Sequence, residues 1–250
     1  MNITCTDSPA RIIPVASAPG GGRGGVLGVA WLHGDLRVSS FRRQQLTATW
    51  SAPAPVNTLE ELAVALETAV REIKFRGTDA FIVLANEVFV HQLETVPSLS
   101  DRAVRAYLRG RVERIEKEQE PMLWVSQRAM TVRKEHAFLL HLLPGGFYYK
   151  LNEIFLARRL ELTRVLPMIV PLQLELASLA NGSKTPVLLA AEAGRSTAVM
   201  AGIPGGDVLF SRTTLASWSD DSARVAVEIN RSLLYAKQQF GATVDSAWLL

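Results

Sequence analysis

The chain has 250 residues, 48% of which are hydrophobic, and its formal net charge is +3. This length can form more than one hydrophobic core. The low net charge, with no basic block interleaved with aromatic residues, does not indicate nucleic-acid binding. The single cysteine, Cys5, excludes an internal disulfide and a cysteine metal cage and fits a reducing, cytoplasmic location. The apolar runs are far shorter than the roughly 20 residues that cross a bilayer, so no membrane span is predicted.

Residues 1–25 are predicted to form a flexible N-terminal tail. Their glycine-rich stretch, 20–25, follows no strand and lacks the Lys-Ser/Thr of a phosphate-binding P-loop. Three strands, a helix and a fourth strand are predicted next. Thr58 and Glu61 have the capping-box spacing for the start of the helix, and Gly77 suits its end. The predicted strands are 27–32, 36–41, 45–51 and 80–85.

A further strand, 87–97, precedes a helix with a predicted buried face formed by Val104, Leu108, Val112 and Ile115. The opposite face carries Arg102, Arg105 and Arg109 among other basic residues. This face is either a solvated surface with local ion pairs or a docking surface for an acidic partner. Two strands and a second helix follow, and the block 99–162 is interpreted as an inserted α+β subdomain.

The order strand, strand, strand, helix, strand occurs again in residues 187–250. The helix of this segment carries Val225, Ile229, Leu233 and Ala236 on one face and is predicted to end at Gly241. The repeat predicts an α/β fold with two related βββαβ halves. We assign residues 26–98 and 163–186 to the first half and residues 187–250 to the second.

The second half is expected to be C-terminally incomplete, because a strand that ends at Leu250 usually continues into a covering helix. An apolar face is then expected to be exposed there. The chain would pair with itself through that face or be less stable than a longer one.

Two stretches resemble those of a known family. Residues 93–101, Leu-Glu-Thr-Val-Pro-Ser-Leu-Ser-Asp, are similar to the strand-to-helix passage of PilM-like type IV pilus assembly proteins, and residues 228–241 are similar to their late helix. With the doubled halves and the placement of the insertion, the chain resembles the actin-like ATPase superfamily, whose halves are ribonuclease H-like. The resemblance is to the bacterial branch that contains FtsA and PilM, and the cytoplasmic part of GspL is a sister possibility.

The resemblance implies a site for ATP and Mg, formed by the first loop of each half. In the first half, the family's Asp-x-Gly and its following basic residue fall on Ala30, Leu32 and Arg37. The carboxylate and the glycine are therefore absent, and Gly34 and Arg37 are remnants of this loop.

In the second half, Glu192 and Gly194 occupy the Asp-x-Gly positions, and Ser196 or Thr197 is the candidate hydroxyl. This loop is either a phosphate loop or a structural turn between strands.

The histidines His33, His91, His136 and His141 have no metal-ligand spacing. His141, on an apolar strand, is expected to be a satisfied core histidine rather than a ligand.

Because the two phosphate loops are incomplete, no bound cofactor is predicted. The chain is predicted to be a scaffold or adaptor of a type IV pilus or type II secretion-like system. In the resembling family, the insertion and the neighbouring half hold a short peptide of a membrane partner. This implies an inner-membrane PilN-like protein or another secretion-platform component, bound near Arg102, Arg105 and Arg109. The chain would then be cytoplasmic and peripheral at the inner membrane, with homo-oligomerisation left open. The alternative is an active ATPase or small-molecule kinase that binds ATP and Mg.

Overall fold

The computed structural model describes residues 3–5, 25–97, 99–118, 121–128, 136–180, 183–193, 196–203, 208–244 and 246–249. Internal contacts divide the chain into two units, Asn2–Pro167 and Met168–Leu250. Both units contain α-helices and β-sheets, as the predicted α/β class requires.

The described part of the N-terminal unit forms two sheets and three α-helices. Its strands are β1 (Ile3–Cys5), β2 (Val26–Leu32), β3 (Asp35–Arg42), β4 (Gln45–Ser51), β5 (Asp79–Leu84), β6 (Val90–Val96), β7 (Met122–Arg128), β8 (His136–Pro144) and β9 (Glu161–Pro167). Its helices are α1 (Leu59–Glu72), α2 (Asp101–Glu118) and α3 (Gly145–Leu156), with a short 3-10 helix at Asn86–Val88.

The central sheet of this unit has five strands in the order β4-β3-β2-β5-β9. β2, β3 and β4 are antiparallel neighbours, whereas β5 is parallel to β2 and to β9. The strand, strand, strand, helix, strand order predicted for residues 26–90 is therefore present. β2 and β3 are joined by His33 and Gly34, which both have positive φ angles of 50° and 86°. Two such residues form the tight turn whose twist matches that of antiparallel strands.

Helix α1 begins as the sequence predicts. The Thr58 side chain accepts a hydrogen bond from Glu61 N at 3.1 Å, and Glu61 Oε2 accepts one from Thr58 N at 3.1 Å. The helix ends earlier than predicted, because Lys74 rather than Gly77 adopts a positive φ, 53°. The amide of Phe75 then donates to Val70 O at 3.1 Å, which satisfies a carbonyl of the last turn.

The second sheet has the strand order β1-β7-β8-β6 and belongs to the inserted region. β6 lies before residue 99, where the sequence analysis began the insertion, and it pairs with β8 rather than with the central sheet. β1 lies within the predicted N-terminal tail, but it pairs antiparallel with β7. The prediction of a flexible tail is thus incorrect for Ile3–Cys5. Residues 1–2 and 6–24 of the predicted tail lie outside the described residues.

The helices of the inserted region pack on different sheets. Helix α2 covers the second sheet with the predicted face, since Val104, Leu108 and Val112 are buried and Ile115 packs against them. Helix α3 instead contributes Leu151 and Phe155 to the core of the five-stranded sheet and packs against α1 and β9. The second sheet is therefore formed by β6, β7 and β8 together with β1, and α3 is a covering helix of the central sheet.

Two histidines meet on neighbouring strands of the second sheet. His91 on β6 is directly opposite His141 on β8, and their Nδ1 atoms are 2.8 Å apart. His91 Nε2 is 2.8 Å from Asn86 O, so it is the donor in that contact, and His91 Nδ1 is left to accept from His141 Nδ1–H. Burial, and secondarily the neighbouring His91, lowers the pKa of His141 from 6.5 to about 3. The expectation of a hydrogen-bonded core histidine is confirmed.

The C-terminal unit repeats the strand order of the central sheet. Its elements are α4 (Ile169–Ala180), β10 (Val187–Ala193), β11 (Ser196–Gly202), β12 (Val208–Thr214), α5 (Trp218–Phe240) and β13 (Ser246–Leu249). The sheet order is β12-β11-β10-β13, with antiparallel pairs except for the parallel pair β10/β13. Helix α5 ends at Gly241, whose φ is 63°, as predicted.

Helix α4 packs against β10 and β11 and therefore belongs to the C-terminal unit. The predicted boundary, which places residues 163–186 in the first half, therefore differs from the division of the structure at Met168. At the other end of the unit, Trp248 and Leu249 of the edge strand β13 are exposed. Self-pairing through this apolar surface stays a prediction. In the described ranges, no helix has the length and apolar character required to cross a membrane.

Two glycine substitutions have opposite expected effects on stability. Gly34→Ala is expected to lower the free energy of unfolding by about 1–2 kcal/mol, because alanine is strained at positive φ. Its Cβ would also lie 2.8 Å from Asn57 Oδ1. Gly110→Ala, in α2, is expected to raise it by about 0.5–1 kcal/mol, because the added Cβ meets nothing within 4 Å. Urea unfolding measures both free energies. An unchanged free energy of unfolding in Gly34→Ala would contradict the expected strain at this turn.

The histidine pair predicts a pH dependence of stability. The unfolded imidazole of His141 binds a proton near pH 6.5, whereas the folded one does so only near pH 3. Acidification from pH 6.5 towards pH 3 therefore favours unfolding, by up to about 1.4 kcal/mol per pH unit. His141→Asn retains a donor for His91 but does not titrate, so its stability is expected to fall less steeply below pH 6.5. Parallel pH profiles for both proteins would contradict this account.

Candidate functional site

The first phosphate loop is expected at the turn between β2 and β3. Side chains occupy the space beside this turn. The Trp31 indole N–H donates to Val56 O at 2.7 Å and fixes the chain before α1 next to this turn. Gly34 lies against Asn57, whose Oδ1 occupies the space that a Cβ of residue 34 would need. Asn57 is not among the residues predicted for this site, because a side chain that approaches from the loop before α1 leaves no signal in the sequence of the β2–β3 turn.

A pocket of about 390 Å³ lies beside this turn. It is lined by Trp31, His33, Asn57, Glu87 and Phe147, among other residues. His33 Nε2 is 3.5 Å from Glu87 Oε2, which is an ion pair when His33 is protonated. The pocket wall therefore has large aromatic side chains and an acidic group, which repels phosphate.

Arg37 does not point into this pocket as a free cation. Its Nε is 3.3 Å from Asp35 Oδ2, two residues earlier on the same strand, and 66% of its side chain is exposed. The structure thus places Gly34 and Arg37 near one hairpin but gives each of them a local neighbour, Asn57 and Asp35.

In the second candidate loop, Glu192 binds the start of α5. Its Oε2 accepts from Trp218 N at 2.7 Å and its Oε1 accepts from the Ser219 hydroxyl at 3.2 Å. The first turn of a helix has backbone N–H groups without intrahelical acceptors and a positive partial charge. A carboxylate is therefore stabilised there, and both oxygens of Glu192 are used within the protein.

The two candidate hydroxyls of this loop are fully buried. Thr197 donates to Ala216 O at 2.7 Å, and Ser196, at 0% exposure, also has a polar interaction. Gly194 lies outside the described residues. The described loop residues thus connect β10 and β11 to the start of α5, a role that the sequence analysis left as the structural alternative.

Helix α5 has two successive caps. Ser217 Oγ accepts from Asp220 N at 3.2 Å, which is the usual N-cap contact. Asp221 then leaves the helical conformation, with φ −150° and ψ 74°, and its Oδ1 accepts from Arg224 N at 3.0 Å. The first turn is thus separated from the longer helical segment by a break at Asp221.

The basic face of α2 is exposed as predicted. Arg102, Arg105 and Arg109 are all exposed, and their i, i+3, i+7 spacing places them on one stripe. In the described part of the chain, no ion pair or hydrogen bond involves their guanidinium groups. Arg111 differs, because its Nε is 2.7 Å from Glu94 Oε1 of β6, and Glu94 is buried. We call Arg102, Arg105 and Arg109 the arginine stripe.

Metal ligation by protein side chains has no support in the described ranges. No three His, Cys, Asp or Glu side chains converge there. The pair His91 and His141 is a direct ring-to-ring contact rather than part of a larger ligand set.

No family model matches this chain, and no curated protein matches it.

Solved structures share its fold. A chain of the PilM-PilN type IV pilus biogenesis complex is 15% identical with a TM-score of 0.68, over 92% of this chain and 82% of that one. The cytoplasmic domain of EpsL, an inner membrane component of the type II secretion system of Vibrio cholerae, is 13% identical with a TM-score of 0.53, over 90% of this chain and 82% of that one.

A Bacteroides thetaiotaomicron protein with an actin-like ATPase fold and unknown function is 10% identical with a TM-score of 0.50, over 91% of both chains. Together with the repeated strand order of the two sheets, these similarities show that the chain has the actin-like ATPase fold.

Proposed function

We propose that this protein is an adaptor of a type IV pilus or type II secretion-like assembly system and that its nucleotide site is degenerate. It would hold a peptide or cytoplasmic segment of an inner-membrane partner and be located on the cytoplasmic side of that membrane. The single observation that carries the proposal is Glu192, whose two carboxylate oxygens cap α5. The fold similarity to the PilM-PilN complex and to EpsL supports the kind of assembly.

The residues of the two loops do not fit a bound triphosphate. A phosphate at the start of α5 would compete with the carboxylate of Glu192 for the Trp218 N–H and the Ser219 hydroxyl. To coordinate Mg²⁺, Glu192 would have to leave the helix start without an acceptor. Such a buried or half-buried donor costs about 1–3 kcal/mol when it is left unpaired. Thr197 is also unsuited to this role, because its side chain is fully buried and its hydroxyl is oriented towards Ala216 O, to which it donates.

The first loop adds a steric argument. Phosphate-binding loops approach the anion with backbone N–H groups and small residues. Here, the Asn57 side chain fills the space next to Gly34, and the Trp31 indole is bonded across the turn. The adjacent pocket also has Glu87 in its wall, which is unfavourable next to a phosphate.

The partner surface is assigned to the arginine stripe of α2. Guanidinium groups recognise carboxylates through paired hydrogen bonds, and clusters of them bind acidic peptide motifs. Leu99, directly before α2, is 44% exposed and provides an apolar contact near the stripe. These features suit a short segment that combines acidic and apolar side chains, such as the cytoplasmic N-terminus of a PilN-like protein.

The proposed role of Glu192 is tested by Glu192→Ala. We expect the free energy of unfolding to fall by about 1–2 kcal/mol, because the start of α5 loses its charged acceptor. Isothermal titration with ATP and Mg is expected to show no binding by either protein. Glu175→Ala, at an exposed position of α4, is the matched control and should leave stability unchanged. Wild-type ATP binding that disappears in a fully stable Glu192→Ala variant would instead support the ATPase or kinase alternative.

The partner surface is tested by charge reversal of Arg102, Arg105 and Arg109 to glutamate. The probe is a labelled peptide from the cytoplasmic N-terminus of a candidate PilN-like partner, and binding is measured by fluorescence anisotropy. We expect affinity to fall by about tenfold or more, because three favourable charge contacts become repulsive.

The matched control reverses Arg114 and Lys117, which are exposed on another flank of the same helix. It should change the affinity by less than about threefold. Equal losses in both variants would indicate a general charge effect and contradict a specific stripe, and a peptide that binds neither variant nor wild type would overturn the adaptor proposal.

A further inference from the structure

A groove runs along the exposed flank of α1 in the N-terminal unit. One wall is formed by Trp50–Val56, from the end of β4 to the loop before α1, and the other by the part of α1 between Glu60 and Glu72. Its volume is about 730 Å³. The groove is separate from the arginine stripe, since none of its lining residues lies on α2.

The centre of the groove is apolar. Val64, which is 69% exposed, and Ala65 line it from α1. Trp50, Pro53 and Pro55 line the opposite wall. A single exposed valine is common on protein surfaces. An apolar groove with a polar rim is different, because such surfaces mark sites of protein interaction.

The rim of the groove is acidic. None of the described lining residues is a lysine or arginine, whereas Glu60, Glu61 and Glu72 all border it. Glu61 is engaged at the helix start, where its Oε2 accepts from the Asn57 and Thr58 amides. Glu60 and Glu72 are exposed and form no ion pair within the described ranges. At 1.5 Å per residue, they lie about 18 Å apart along the helix axis.

The loop wall is not suited to the addition of a partner strand. Pro53 and Pro55 have no backbone N–H. Ala52 N already donates to Leu36 O at 2.9 Å, and Val56 N donates to Gly34 O at 2.9 Å. A partner in extended conformation would therefore find few donors for a backbone ladder. Recognition through side chains favours a helix laid into the groove, which satisfies its own backbone.

We propose that this groove binds an amphipathic, positively charged helix of a partner protein. Apolar side chains at i, i+3 and i+4 of that helix would contact Val64, Trp50 and the two prolines. Lysines or arginines near its ends, about three turns apart, would pair with Glu60 and Glu72. A cation beside Trp50 would add a contact with the indole face.

The test uses a phage-displayed library of helical peptides as the probe. Peptides are selected on the full chain and counter-selected on Val64→Asp, so that only groove-dependent binders remain. We expect the recovered peptides to have an apolar stripe flanked by lysine or arginine. Their affinity, measured as synthetic peptides by fluorescence anisotropy, should fall by about tenfold or more in Val64→Asp, because a charge replaces the central apolar contact.

Charge dependence is measured with Glu60→Lys combined with Glu72→Lys, which should weaken the same peptides and reverse the sign of their salt dependence. Leu46→Asp, at an apolar residue of β4 that is 60% exposed and outside the groove, and Glu113→Lys on α2 are the matched controls. Both should bind as wild type does.

Three outcomes would overturn the proposal. The first is a selection without groove-dependent peptides, and the second is recovered peptides without basic flanks that ignore the charge reversal. The third is concentration-dependent self-association that Val64→Asp abolishes in light scattering, because a second copy of the chain would then be the occupant.

Discussion

Helices α1 and α5 each lead to the last strand of their repeat, and each begins with backbone N–H groups that have no acceptor inside the helix. The two units supply acceptors for these groups in different ways. Helix α1 uses Thr58 and Glu61, which lie within one turn of each other. Helix α5 uses Ser217 together with Glu192, which is 26 residues from Trp218 in the chain. The end of β10 and the start of α5 are therefore connected by hydrogen bonds, and Glu192 cannot move without removing an acceptor from the helix start.

This constraint connects the fold to the function that we propose. A helix start attracts anions, and in this protein the anion is a side chain of the chain itself. The same backbone groups that could bind a phosphate are used for internal stability. Both proposals therefore place ligand recognition on outer surfaces with opposite charge, the arginine stripe of α2 and the acid-rimmed groove beside α1. If both proposals hold, the protein can bind two different partners at the same time.

Local patterns were sufficient to predict much of the fold. The capping box of α1, the buried face of α2 and the stop at Gly241 all depend on residues a few positions apart, so their signals are contained in short stretches. Sheet membership depends on distant partners. The pairing of β6 with β8 and of β1 with β7 could not be read from the strands themselves. The contacts of Glu192 could not be predicted for the same reason. Nothing near Glu192 in the sequence indicates that it accepts from Trp218 and Ser219.

The break at Asp221 has a consequence for the dynamics of α5. Helix fraying spreads between neighbouring residues in the helical conformation, and Asp221, with φ −150° and ψ 74°, interrupts the run of such residues. The turn before it is held by β10 and Ser217, whereas the segment after it is held by its own cap and by the buried Val225 and Ala236. We expect these two segments to belong to different cooperative units in hydrogen exchange, with the amide of Trp218 protected to the same degree as the β10/β11 hairpin.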